Sequence, residues 1–293
     1  MAETTWHTAR HTTRHTARHS GRATGVRVSA VLLVAVVAAA LLVPLAVPLD
    51  EQAVDLGAKL LPPSWSHPFG TDEVGRDLLL RCVYGLRVSL LVGVVAALTA
   101  TVIGTAVGAL AGALGGWTDR VVMRVVDLFS SVPHLLLGVF VVAMFRPGVW
   151  PVIASVALTH WLSTARIVRA EVLSLRSRPY IDAAVSGGAS RRRVLTRHLL
   201  PGVLPQAGLA AVLMVPHAIW HESALSFLGL GLPAHRASLG SMVQSARGSL
   251  LAGDWWPTLF PGLFIIVPTL AIAALAGAWR ERLNPRRRSE PTL

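Results

Sequence analysis

The chain has 293 residues, of which 53% are hydrophobic and only 14% charged, with a formal net charge of +12. A soluble domain carries about 25% charged residues, so the balance excludes an ordinary globular enzyme, a disordered chain and a disulfide-stapled fold. The lone cysteine, Cys82, reads as a small apolar filler and not as a nucleophile.

Residues 1–27 form a basic tail in which His7, His11, His15 and His19 alternate with Arg10, Arg14 and Arg18 among Thr and Ala. No apolar face forms there, so the tail is expected to be disordered. A basic anchor at the inner leaflet is its plain role, and metal binding by the histidines the sharper one. A bilayer span needs about 20 mostly apolar residues. The stretch 28–47 is uncharged, longer than a usual signal-peptide core and without a cleavage site after it, which predicts a retained first helix. Residues 48–87 then form an extracytoplasmic segment, 88–279 a core of five further helices, and 280–293 a basic tail. Within the core the expected spans are 88–113, 128–145, 149–165, 203–228 and 258–279. The expectation is an all-α integral membrane protein with six transmembrane helices. Long apolar runs, without ten-residue alternation, exclude a β-barrel.

Six spans would place both termini on one side, and the basic residues choose it. Five Arg lie in 1–27, two in 114–127, eight in 166–200 and five in 280–293, twenty in all, against seven Lys and Arg in the remaining loops. Both termini are therefore expected in the cytoplasm. The same distribution removes nucleic acid as the reason for the positive charge.

Inside the second span Gly104, Gly108 and Gly112 recur every four residues, a face on which a neighbouring backbone can approach closely. Helix packing is the plain use of that face and pore lining the alternative. Asp127, Pro133, Pro216 and Pro268 lie in or beside later spans, where proline permits bends. Glu222 is an acid well inside an apolar segment, with His217 and His221 nearby at a spacing close to that of metal ligands. The trio is a candidate substrate-path or metal contact; interfacial hydration of Glu222 is its plainer explanation. His160 and Gln206 suit helix–helix hydrogen bonding equally well. No phosphate-binding loop, H-E-x-x-H or G-x-S-x-G pattern occurs, so no catalytic residue, cofactor or firm metal site is assigned, and energy from ATP would have to come from another polypeptide.

The loop 166–201 is the most informative stretch. Pro179 restarts a helix, Gly187-Gly188 permits a sharp turn, Ser190 can cap a third helix running to His198, and Pro201 marks entry to the next span. The result is a compact basic knob, either a surface helix pair or a docking element. Asp182-Ala183-Ala184, Gly188 six residues after Asp182, and Arg197-His198 leading to Pro201 resemble the EAA loop of ABC-importer permeases, with Asp182 in place of the usual Glu. His67 to Asp77, Tyr84 to Leu90, Glu222 to Gly231, Leu239 to Met242, Trp255-Trp256, Pro261-Gly262 and Arg280 to Arg286 are similar to the peptide and nickel branch of that family. Gly277-Ala278 stands where that branch often has Gly-Asp.

The resemblance covers about residues 28–286 and implies a type I ABC-importer permease fold in a bacterial inner membrane. It implies one half of a heterodimeric path for peptides, nickel or metal chelates. The partners would be a second permease subunit, two cytoplasmic ATPase subunits holding ATP and Mg, an extracytoplasmic binding protein, and lipid. The knob carrying Asp182 and Gly188 would then couple this chain to an ATPase. An ion-coupled secondary transporter, which would need midplane acids and usually an inverted repeat, and a non-transporting membrane scaffold are the rival functions.

Overall fold

The computed structural model describes residues 4–233 and 236–283, with side chains described from residue 24 to 282 apart from 234–235. The histidine tract of the N-terminal tail and the final basic residues therefore lie outside the described side chains. The fold is all-α. A long first helix, α1 (Thr4–Ala46), is followed by an irregular segment with one 3-10 turn, Leu56–Ala58. Then come α2 (Leu78–Leu114), α3 (Gly116–Ser130), α4 (His134–Ala143) and α5 (Val149–Arg176). Two short helices, α6 (Pro179–Ser186) and α7 (Arg191–Val194), lead through a π turn at Leu195–Leu199 into α8 (Leu200–Phe227). The chain ends with α9 (Leu239–Ser245), α10 (Arg247–Ala252) and α11 (Trp256–Leu283).

Among the described residues, four helical stretches are long and apolar enough to cross a membrane: Thr24–Ala46, Leu78–Leu114, Arg191–Phe227 and Trp256–Arg282. The count reaches five if α3 and α4, bent by 81°, form one broken span. The expected six transmembrane helices are thus corrected on two grounds. The stretch 128–145 is not a continuous helix, because α3 ends at Ser130 and Pro133 sits at the N-cap of α4. Proline bars the residue before it from helical geometry and cannot donate its own N–H, so the path turns instead of bending gently. The stretch 149–165 is helical within the 28 residues of α5, but Thr159, His160, Ser163 and Thr164 within it and Arg166 directly after it dilute its apolar character below that of a lipid-facing span. A total of four keeps both termini on one side, whereas a total of five would place them on opposite sides.

Central helix α2 packs along both α5 and α8. Its start is capped by Asp77, whose side chain accepts from the Leu80 N–H at 2.9 Å. Three apolar clusters hold the bundle. Val92 and Ala96 of α2 meet Val142 of α4, Val152 and Val156 of α5, and Ala218 and Leu225 of α8. Further along, Ala109 meets Val168 and Val172 of α5, Ile181 of α6 and Val203 of α8. At the opposite end of α2, Leu78, Cys82 and Leu86 meet Ala40 of α1, Leu239 and Met242 of α9, and Trp256 of α11. Cys82 is fully buried there as an apolar filler. The segment before α2 folds onto this end: Phe69 stacks on Phe260 at 4.1 Å, and the Trp256 indole N–H donates to the Thr71 carbonyl. Outward side chains such as Val31, Val34 and Leu45 on α1 are more than two-thirds exposed, a surface suited to lipid.

A run of close approaches joins α2 and α5. A Cβ added at Gly104 would lie 2.6 Å from Thr164 Cβ, at Gly108 2.3 Å from the Ala165 carbonyl oxygen, and at Gly112 2.8 Å from Val172 Cγ1. All three glycines face α5, and at Gly108 the obstacle is backbone, which cannot swing aside.

Candidate functional site

Two places combine exposed or unpaired polar chemistry with a defined scaffold: the knob formed by α6 and α7, and a polar chamber beside the α3–α4 break.

The knob is built by local sequence. Pro179 supplies the pre-set φ for the first turn of α6. Gly187 ends that helix, Gly188 takes the left-handed φ of +81°, and the Ser190 hydroxyl oxygen accepts from the Arg193 N–H to start α7. The third helix does not stop at His198. It continues into α8 through the π turn, in which the Leu200 N–H reaches back to the Leu195 carbonyl. This wider turn accommodates Pro201, which brings no N–H and whose ring would crowd the carbonyl one turn earlier. Ile181 is buried against Val172, Val194 and Leu199 and fixes α6 to the bundle. Asp182, Ala183, Gly188, Arg197 and Pro201 are exposed, while Ala184 and His198 are half-buried. Asp182 also lines a hollow of about 510 Å³ with Val185, Ala189, Arg191, Arg192 and Leu195. Behind the knob, the Arg176 guanidinium donates to the Gly112 carbonyl at 2.7 Å, and Arg169 forms a two-point ion pair with Asp119. The arrangement is a small, rigidly seated projection with one acid among arginines.

The structure separates the trio of His217, His221 and Glu222. Glu222 is fully buried, and its carboxylate accepts from Ser89 of α2 at 2.7 Å, from Ser226 of its own helix at 2.9 Å and from Ser238 before α9 at 2.9 Å. His221 instead packs against His134 of α4 and His160 of α5, with ring centroids 5.6 and 5.2 Å away, and those two rings lie 5.6 Å apart. Gly138 makes room for this cluster, since a Cβ there would sit 2.7 Å from the His221 ring and 2.9 Å from Ser155 Oγ. Neither ring nitrogen of His221 has a hydrogen-bond partner among the described residues. His217 lines the adjoining chamber of about 460 Å³ with Ser130, His134, His160, Ser163 and Arg166. Among the described residues, no group of three or more His, Cys, Asp or Glu is placed to hold a metal ion. Sequence reasoning did not find Ser89, Ser238 or the pairing of His134 with His160. The residues concerned are far apart in the chain, and serines inside apolar runs carry no local signal.

The comparisons with known proteins agree with this architecture. Residues 104–289 match the family model described as binding-protein-dependent transport system inner membrane component. The dipeptide transport system permease protein of Bacillus subtilis is 37% identical over 228 residues, covering 78% of this chain and 71% of the relative. A probable peptide ABC transporter permease of Sinorhizobium fredii is 40% identical over 238 residues, 81% of each chain. The oligopeptide transport system permease protein of B. subtilis is 34% identical, covering 78% of this chain and 74% of the relative. Among solved structures, a chain of the inward-facing MetNI methionine ABC transporter has a similar fold, with a TM-score of 0.55 and 21% identity over 69% of this chain and 96% of that one. The chain therefore belongs to the binding-protein-dependent transport system inner membrane component family, as a multi-pass permease subunit of an ABC importer.

Proposed function

We propose that this chain forms one half of a heterodimeric translocation path that imports di- and oligopeptides. ATP would be hydrolysed on two separate cytoplasmic subunits, and substrate would be delivered by an extracytoplasmic binding protein. The observation that carries the substrate class is the 34–40% identity, over about four-fifths of the chain, to permeases named for dipeptide, oligopeptide and peptide transport. Nickel and metal chelates lose ground by the same token, and the separation of Glu222 from His217 and His221 weakens the sequence-level case for metal.

In this reading the knob is the coupling element. Asp182, Ala183, Ala184 and Gly188 present the contact surface, while Arg197, His198 and Pro201 carry its movement into α8. The seating of Ile181 and the bond from Arg176 to the Gly112 carbonyl support transmission of a push to α5 and α2 as well. Tight seams such as that of Gly104, Gly108 and Gly112 against α5 favour movement of α2 and α5 as one unit.

The test is reconstitution of the chain with its permease partner, the ATPase subunits and the binding protein in proteoliposomes. Labelled dipeptide should accumulate only with ATP inside the ATPase compartment and loaded binding protein outside. Uptake driven by a proton gradient without ATP would instead favour a secondary transporter. Absence of any co-purifying ATPase, together with no uptake, would favour a scaffold.

A further inference from the structure

The chamber at the α3–α4 break has a hydrogen-bonding inventory that points to one kind of visitor. Its polar wall comes from the end of α3 (Ser130), the start of α4 (His134), α5 (His160, Ser163, Arg166) and α8 (His217), and no Asp or Glu lines it among the described residues. The Ser130 hydroxyl donates to the Val126 carbonyl at 2.7 Å and the Ser163 hydroxyl to the His160 carbonyl at 2.9 Å. Their oxygens are left to accept. His160 Nδ1 lies 3.0 Å from the Val156 carbonyl, which can only accept, and 2.8 Å from the Thr159 hydroxyl, whose own hydrogen goes to the Ser155 carbonyl at 2.9 Å; this arrangement suits a hydrogen on Nδ1 and leaves Nε2 to accept. The remaining donors are the Arg166 guanidinium and the imidazole N–H groups of His134 and His217.

Arg166 is the permanent cation of this wall. It spends one N–H on Asp127, at 3.1 Å, in a pair whose side chains are 46% and 59% exposed. So exposed a pair is readily exchanged, because water screens it. A carboxylate arriving in the chamber can take the guanidinium fork in two parallel hydrogen bonds, the geometry arginine serves best. The peptide N–H groups next to that carboxylate would meet the hydroxyl oxygens of Ser130 and Ser163 and the open His160 nitrogen. We propose that the chamber is a station on the translocation path that takes the carboxyl end of a passing peptide, with Arg166 as its anchor. This rests on the peptide-import function proposed above.

The test uses the full importer in proteoliposomes, supplied with saturating binding protein loaded either with a dipeptide or with the same dipeptide as its C-terminal amide. The wild type should import the free acid about tenfold faster than the amide, the scale of one lost charge-assisted contact. Arg166→Gln should bring that ratio close to one, by slowing uptake of the free acid more than uptake of the amide. Asp127→Asn, which frees Arg166 of its partner, should lower the KM for the acid and not for the amide, and it reads out the same idea if Arg166→Gln fails to assemble. A wild-type complex that hydrolyses ATP but imports neither form overturns the peptide function itself. Normal import with a ratio that neither variant alters overturns only the chamber. So does inhibition of uptake by micromolar zinc that His134→Gln relieves while Arg166→Gln leaves the ratio intact, since the cluster would then be a metal site.

Discussion

At the scale of single residues, Glu222 joins three parts of the chain. Ser89 and Ser238 are 133 and 16 residues away from it, yet both donate to its carboxylate in a fully buried setting. Removing the acceptor strands buried hydroxyls and opens a void, so Glu222→Ala should cost about 3 kcal/mol or more. Thermal unfolding in detergent should show this as a midpoint lower by roughly 5–10 °C. Glu222→Gln keeps the shape but turns an N–H₂ toward hydroxyls that must then reorient, and should cost about 1–2 kcal/mol. Equal midpoints for the two variants would mean that the serine contacts contribute little. The sequence marks Glu222 itself, because an acid inside an apolar run stands out. It does not mark the serines, which stand far apart in the chain until the fold brings them together, and so interfacial hydration was the plain reading of Glu222 and a metal-like trio with His217 and His221 the sharper one.

At the scale of elements, the seam between α2 and α5 and the break between α3 and α4 teach opposite lessons. The four-residue glycine spacing was visible in the sequence as a close-packing face, although only the structure identifies α5 as its partner. A side chain at Gly108 would meet the Ala165 carbonyl at 2.3 Å, and Gly108→Val should destabilise the chain by about 3 kcal/mol or more. Gly262 is the control, since a Cβ there meets no atom within 4 Å. Gly262→Ala in α11 should leave stability unchanged or raise it by about 0.5–1 kcal/mol, because alanine suits a helix interior better than glycine. Chemical denaturation of the two variants in the same detergent compares them directly. The break at Pro133 was legible only as a bend. Hydropathy averages over residues 128–145 without registering that one proline with two serines before it can turn the path by 81°. The same averaging credited α5 with a span that its Thr, Ser, His and Arg residues dilute.

At the scale of the whole molecule, the family was legible because short patterns of residues carry it, whereas the number of spans was not, because it depends on how helices bend and share burial. Gly188 offers the sharpest test of the link between the knob and transport. A Cβ there touches nothing within 4 Å, so the whole effect of Gly188→Val is the strain of a β-branched residue at φ +81°. The variant should insert and assemble, continue to hydrolyse ATP, and import dipeptide at roughly a tenth of the normal rate or less. Full uptake would remove the knob from the coupling path. The π turn at Leu195–Leu199 has a further consequence for how this protein tolerates change. It takes up one residue between the projection and the long helix behind it. Each residue of an α-helix advances the azimuth by about 100°, whereas the wider winding spreads an extra residue over the same sweep, so deleting Thr196 would close the turn to ordinary winding and leave the knob near its present azimuth around α8. Every side chain but that of Thr196 would survive. Uptake should therefore persist, whereas deleting one residue from the ordinary winding of α8 should swing the projection by about 100° and abolish it.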